Sequence, residues 1–168
     1  MNTTGPVLEL GCGLYSTIML HTICAKQGRR LHTVDHTLSW LEKFTYLKSQ
    51  SHTFEHLACG SLNVTVYEFM YRLSQHWEKK IDQSWDQVGQ GEKWGLVFLD
   101  QLPLSRRVKD IKRLRASTDV FVIHNTNMFG NWLSGFWPYL QTFAYTYIFP
   151  AFPATAVCSD KIDVRSFF

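Results

Sequence analysis

The sequence has no Cys-x-x-Cys pair. Its four cysteines, Cys12, Cys24, Cys59 and Cys158, are scattered, which excludes a zinc ribbon and leaves free thiols in a reducing cytosol as the expected state. No basic residue stands among Met1 to Pro6, and the apolar run Val7 to Leu10 is too short for the core of a secretory signal. From Val120 to Ser159 there is no Asp, Glu, Lys or Arg. A membrane span needs about 20 consecutive apolar residues. Here Asn125, Asn127, Asn131, Gln141 and three prolines interrupt the stretch. It is therefore expected to form buried strands and an apolar helix, with no span. Internal repeats and low-complexity tracts are absent as well. The net charge of +3 is too small to imply nucleic acid by itself.

What is present is a chain of 168 residues, 45% hydrophobic and 18% charged. That is enough for one domain with its own core, and residues 61–93 are expected to be a variable insertion. Short strands are predicted at Val7–Leu10, Arg30–Val34, Thr53–Ala58, Gly95–Leu99, Val120–Ile123, Ala144–Phe149 and Thr155–Cys158. Helices are predicted at Tyr15–Ala25, closed by Gly28, and at Leu38–Ser49, Val64–Trp77, Ser105–Ala116 and Asn131–Thr142. Ile18, Met19, Thr22 and Ile23 stand at helical spacing in the first helix. Leu38, Leu41, Phe44, Tyr46 and Leu47 are taken as the apolar stripe of the second. The alternation predicts an α/β fold, a doubly wound, mostly parallel seven-stranded sheet with helices on both faces. Only Pro150 to Ala154 separates the last two strands. A parallel pair needs a crossover of about a dozen residues, so this pair should be an antiparallel hairpin.

Ligands of open α/β sheets bind at the carboxyl ends of the strands. The first strand runs into Glu9-Leu10-Gly11-Cys12-Gly13-Leu14-Tyr15-Ser16-Thr17, whose glycines allow a tight turn and close approach to a ligand. About 20 residues on, Asp35 ends the second strand, where a carboxylate accepts hydrogen bonds from ribose hydroxyls. A dinucleotide fingerprint wants a third glycine where Ser16 stands. Glu9 would also sit badly beside a pyrophosphate, whereas it suits a cationic group.

These residues resemble the motifs of class I S-adenosylmethionine-dependent methyltransferases. Glu9-Leu10-Gly11-Cys12-Gly13, Thr33-Val34-Asp35 and Phe98-Leu99-Asp100 are similar to that family's motifs I, post-I and IV, and the closing hairpin is similar to its sixth and seventh strands. The resemblance covers Val7 to about Asp160. It implies that Gly11, Cys12 and Gly13, followed by Tyr15, Ser16 and Thr17, form the cofactor loop. Glu9 would orient that loop or reach the cofactor's amino group, Asp35 would hold the ribose, and His36 would lie beside the adenine. Cys59, Gly60 and Ser61 would follow the third strand near the adenine. For Cys12 and Cys59 the competing reading is a small apolar filler.

The resemblance further implies that Asp100 lies next to the reactive methyl. One branch holds a divalent cation there with an Asp-Asn pair after the next strand. Here that strand ends His124-Asn125, so Asp100, His124 and Asn125 could offer O and N ligands. The second carboxylate is missing, and a metal is the less favoured reading. Without metal, His124 is the natural base. Asn125 is also a candidate substrate contact.

Arg106, Arg107, Lys109, Lys112, Arg113 and Arg115 crowd into ten positions. Helical spacing spreads them round the exposed side. A solvated helix face is the plain reading, and Arg106 and Arg107 are candidates for gripping a phosphate or carboxylate of substrate. RNA is weakly supported, since no aromatic-basic interleaving accompanies the cluster. The expected function is methyl transfer to an O or N nucleophile of a small molecule. The alternative is a degenerate methyltransferase fold that binds cofactor or a partner without catalysis. A homodimer is expected from the aromatic-rich segment Phe129 to Phe152, through Trp132, Phe136 or the hairpin aromatics.

Overall fold

A computed structural model describes residues 3–57, 85–101, 104–126 and 136–168. The strands are β1 (Val7–Leu10), β2 (Leu31–Asp35), β3 (His52–His56), β4 (Trp94–Leu99), β5 (Thr118–Ile123), β6 (Tyr145–Phe149) and β7 (Thr155–Ser159). They form one seven-stranded sheet in the order β3-β2-β1-β4-β5-β7-β6. β1 to β5 pair in parallel, and β7 runs antiparallel to both β5 and β6. The mostly parallel sheet and its antiparallel closing hairpin agree with expectation. The helices are α1 (Ser16–Gln27), α2 (Leu38–Leu41), α3 (Leu104–Leu114) and α4 (Phe136–Leu140). Short 3-10 turns follow α2 at Glu42–Leu47 and α3 at Arg115–Ser117, and a last one spans Val164–Phe167. Pro138 lies within α4.

Period-2 alternation divides the sheet's side chains between two layers. Leu8, Leu10, Val34, Val97, Leu99, Phe121 and Ile123 pack with Ile111 and Leu114 of α3 and Phe136 and Leu140 of α4. On the opposite face Val7, Leu31, Leu96 and Phe98 pack with Leu20 and Cys24 of α1. Helices therefore cover both faces. Gly28 closes α1 in the left-handed region at φ 64°, its N–H reaching Ala25 O and Cys24 O.

Three expectations need correction. The buried residues of α1 are Thr17, Leu20 and Cys24, while Ile18, Met19 and Ile23 are 41%, 51% and 42% exposed. Apolar residues stand on both sides of this helix, and Thr17, partner of buried Glu9, selects the inward one. In the second helical segment Leu41 and Phe44 are buried, whereas Leu38 and Tyr46 are exposed, because the α-turn tightens to 3-10 after Leu41. Arg106 and Arg107 do not lie on a solvated face. They are 2% and 1% exposed, turned inward against Asp110, Asp86 and Asp100. The predicted helix 64–77, Cys59, Gly60, Ser61, Asn127, Asn131 and Trp132 lie outside the described residues, as does the side chain of Ser105.

Candidate functional site

Parallel β1, β2, β4 and β5 deliver their carboxyl ends to one edge, with the switch in strand order between β1 and β4. Gly11 leaves β1 at φ 87°. A Cβ there would stand 2.5 Å from Gln101 N and 2.7 Å from the Asp100 carbonyl carbon, so only glycine lets the loop pass the end of β4. A Cβ on Gly13 would meet only side-chain atoms, Ser16 Oγ at 2.8 Å and Asp100 Oδ2 at 4.0 Å. The loop and the β4 carboxylate are therefore neighbours.

The loop is held from three sides. Asp35 Oδ2 accepts from Cys12 N at 2.9 Å and from Cys12 Sγ at 3.3 Å, and Asp35 Oδ1 accepts from Thr37 N at 2.8 Å. Trp40 of α2 donates its indole N–H to Cys12 O at 2.7 Å. Gly13 N donates to Thr17 Oγ1 at 2.9 Å, and Thr17 passes its own proton to Glu9 Oε1 at 3.0 Å. Glu9 Oε2 accepts from Thr33 Oγ1 at 2.8 Å. Burial pushes the Glu9 carboxyl up to about 7, against the pull of these hydroxyls. Burial, then the Asp35 carboxylate, pushes the Cys12 thiol far up, so Cys12 is an inert thiol packed with Leu41 and Phe44.

At the end of β4, Asp100 Oδ1 accepts from Arg107 Nη2 at 3.1 Å and from Asn125 Nδ2 at 3.4 Å. Asp100 Oδ2 lies 3.3 Å from His124 Nδ1. Arg107 also donates to Gln101 O at 3.0 Å and to His124 O at 2.5 Å, so one guanidinium clasps the ends of β4 and β5. Burial brings Arg107 down to about 10, with Asp100 resisting; it stays cationic at neutral pH. That charge opposes a second cation at Asp100, and among the described residues no cluster of three or more His, Cys, Asp or Glu stands ready for a metal. Asn125 occupies the left-handed region at φ 56°, which asparagine tolerates better than most residues. The His124 ring is part-exposed and stacks over Phe98 at 6.4 Å.

Glu9, Gly11, Cys12, Gly13, Ser16, Thr17, Asp35, His36, Asp100, His124 and Asn125 thus gather at one edge or brace it. Tyr15 stands 89% exposed at the start of α1. Glu9 and Thr17, with no exposure, act on the loop from beneath. Arg106 is bound to Asp110 and Asp86. Sequence reasoning missed Trp40 and the clasp made by Arg107. It also missed the pair Thr33 and His52, which stand in strands already rich in polar residues, LHTVD and HTFEH, and so carried no signal of their own. A cavity of about 360 Å³ lies at the opposite edge, lined by Arg30, Leu31, His32, Thr53, Glu92 and Trp94 near the amino ends of β2 and β4, and is separate from this site.

The strand order and the antiparallel β7 are consistent with the class I methyltransferase fold. No family model matches the chain, and no curated protein matches its sequence. No helix among the described residues is long and apolar enough to cross a membrane.

Proposed function

We propose that the chain is an S-adenosylmethionine-dependent methyltransferase that passes a methyl group to an O or N nucleophile of a small molecule. One observation carries this reading. The sheet order 3-2-1-4-5-7-6 with β7 reversed brings a glycine loop, Asp35 and the Asp100–His124 pair to one edge. The residues present fit the cofactor. Ser16 Oγ and His36 Nδ1 are buried polar atoms without a well-formed hydrogen bond, flanking the loop and the end of β2; Ser16 is turned towards Glu9 and His36 Nδ1 lies 3.6 Å from Asp35 Oδ1. Asp35 Oδ1 accepts from Thr37 N and faces His36 Nδ1 at 3.6 Å, beyond a formed hydrogen bond, so a ribose hydroxyl would take that lone pair. Carboxylates at the loop favour a sulfonium and an ammonium over a pyrophosphate.

Bound S-adenosylmethionine supplies an electrophilic methyl on a sulfonium. The chain's own residues bind and orient. Asp100 Oδ2 favours the proton on Nδ1 of His124, which leaves Nε2 bare to take a proton from the acceptor. The two atoms stand 3.3 Å apart without an aligned hydrogen bond, as catalytic pairs often do before ligand binds. Arg107 fixes Asp100 and the His124 carbonyl together, so it positions the pair.

Calorimetric titration tests the reading, with S-adenosylmethionine and with NAD, each with and without magnesium. Binding of S-adenosylmethionine and indifference to NAD are expected. Asp35→Ala is expected to weaken binding at least about tenfold, given about 1.5–3 kcal/mol for a hydrogen bond to a charged group. Binding of NAD alone would replace the methyltransferase by a dehydrogenase-like module. A second reading, a binding module without catalysis, draws support from the exposed apolar row Leu14, Tyr15, Ile18, Met19 and Ile23 on and before α1. Failure to bind either nucleotide would favour it.

A further inference from the structure

Five side chains run in one hydrogen-bonded file from beneath the glycine loop to the outside of α1. Thr17 Oγ1, which accepts from Gly13 N, donates to Glu9 Oε1. Thr33 Oγ1 reaches Glu9 Oε2 at 2.8 Å, and His52 Nε2 reaches Thr33 Oγ1 at 2.9 Å. His52 Nδ1 reaches His21 Nδ1 at 3.0 Å. Glu9, Thr17 and Thr33 have no exposure and His52 has 1%, whereas His21 is partly exposed. Ser16, partly buried beside the loop, also acts on Glu9, but the file through Thr33 and His52 is the one whose hydrogen bonds are all formed and that ends on an ionisable side chain.

The chain dictates its own proton positions. An ionised Glu9 only accepts, so Thr33 must donate to it. Thr33 then accepts from His52 Nε2–H. Neutral His52 has a bare Nδ1, which accepts from His21 Nδ1–H. We propose that His21, His52 and Thr33 form a proton relay through which the sealed Glu9 exchanges its proton with solvent, so that ambient pH sets the charge beneath the glycine loop. A proton from water adds to His21 Nε2. His21 Nδ1–H passes to His52 Nδ1, His52 Nε2–H passes to Thr33 Oγ1, and the Thr33 hydroxyl proton passes to Glu9 Oε2. The carboxylate becomes a carboxylic acid, each ring stays neutral with its tautomer exchanged, and every hydrogen bond survives with its direction reversed.

The surroundings agree. Titratable groups acting on Glu9 or within reach of its charge are Cys12 on the loop, Cys24 on α1 and Asp100 after β4, and none is a cation. From β2, Thr33 faces it; from β3, His52 stands behind Thr33, itself influenced by His21 and His32. Burial holds His52 down at about 4 and Glu9 up near 7, so of these two sealed groups it is Glu9 that keeps the proton. Under the methyltransferase reading, loss of the Glu9 charge weakens attraction for the cationic cofactor at low pH. The relay itself needs no cofactor.

The test is nuclear magnetic resonance on the unaltered chain without ligand. Histidine ring nitrogens and the glutamate carboxyl carbons are followed from pH 5 to 8.5. The Glu9 carboxyl is expected to titrate near neutrality. At the same midpoint His52 should exchange an Nε2–H ring for an Nδ1–H ring without becoming an imidazolium. Glu9→Gln should lock His52 in the Nδ1–H form across the range, since the amide N–H2 donates to Thr33. Thr33→Val should uncouple the ring from the carboxyl. A Glu9 ionised throughout, or a His52 tautomer that ignores it, would overturn the relay, and neither outcome bears on cofactor binding.

Discussion

Glu9 is a carboxylate with no exposure whose only described partners are hydroxyl groups. Its folded-state value of about 7 exceeds the ordinary 4.5. The native state therefore holds the proton more tightly, and this stabilisation is complete below about 4.5 and lost as pH rises through 7. Two and a half pH units correspond to about 3 kcal/mol. His52 runs the other way, complete above 6.5 and lost as pH falls through about 4. The two trends offset in the unaltered chain, and a variant separates them. Glu9→Gln is expected to raise the melting temperature at pH 8 and to change it little at pH 5. Equal shifts at both values in scanning calorimetry would remove the buried-charge account. Asp100→Asn, by contrast, should slow methyl transfer by a hundredfold or more, since a positioned acid-base group contributes about 10²–10⁴. Indifference of the rate to a chelator is expected, because Arg107 already balances Asp100; loss restored by magnesium would replace His124 as base with a metal. Asp35 and Asp100 were legible in the sequence because each ends a strand that its own apolar run announces. Thr33, His52 and Arg107 were not, because their meaning depends on partners 24, 31 and 17 positions away, which only sheet register and helix docking bring together.

At the scale of elements, two glycines of one loop have different tasks. Gly11 passes the β4 terminus with no room for a Cβ and a left-handed φ. Gly13 has neither constraint and borders Ser16 and Asp100. Gly11→Ala is expected to lower stability by several kcal/mol, as both strain and backbone overlap accumulate. Gly13→Val should melt near the parent yet lose S-adenosylmethionine binding, because its branched chain fills the space beside Asp100. A Gly13→Val chain that binds as the parent does in titration would move the ligand off this loop. The central strands β4 and β5 were readable to within two residues because strands buried on both faces are near-continuous apolar runs. The inward face of α1 was not, because its apolar residues lie all round and the buried carboxylate chooses Thr17. The clustered arginines of α3 misled for a related reason. Charge runs usually face water, but Asp110, with no exposure, accepts from Arg106, Arg113 and Gln101 and draws that helix's cations inward.

At the scale of the whole molecule, the sheet has two unlike edges, β3 and β6. β6 carries no charged residue, and its outer side offers backbone N–H and C=O groups unpaired with any described strand. One face of β6 is covered by the chain's own end, since Phe168 stacks on Tyr147 at 4.3 Å and lies 5.9 Å from Phe149. The hairpin tip is bare, with Phe152 90% exposed, and Ile148 and Phe149 are 39% and 45% exposed. Phe136, by contrast, is fully buried under the sheet and offers nothing to a partner, which corrects the wider expectation for this segment. An apolar, uncharged edge of this kind is normally covered, and a second copy of the same edge is self-complementary about a two-fold axis. We therefore expect a homodimer through β6 and the hairpin tip. Light scattering across a concentration series should report twice the chain mass at high micromolar concentration. Ile148→Lys places a like charge on both sides of the two-fold and should return the monomer with its melting temperature little changed. A parent that stays monomeric at that concentration would leave the edge to the chain's own C-terminal turn and remove the dimer.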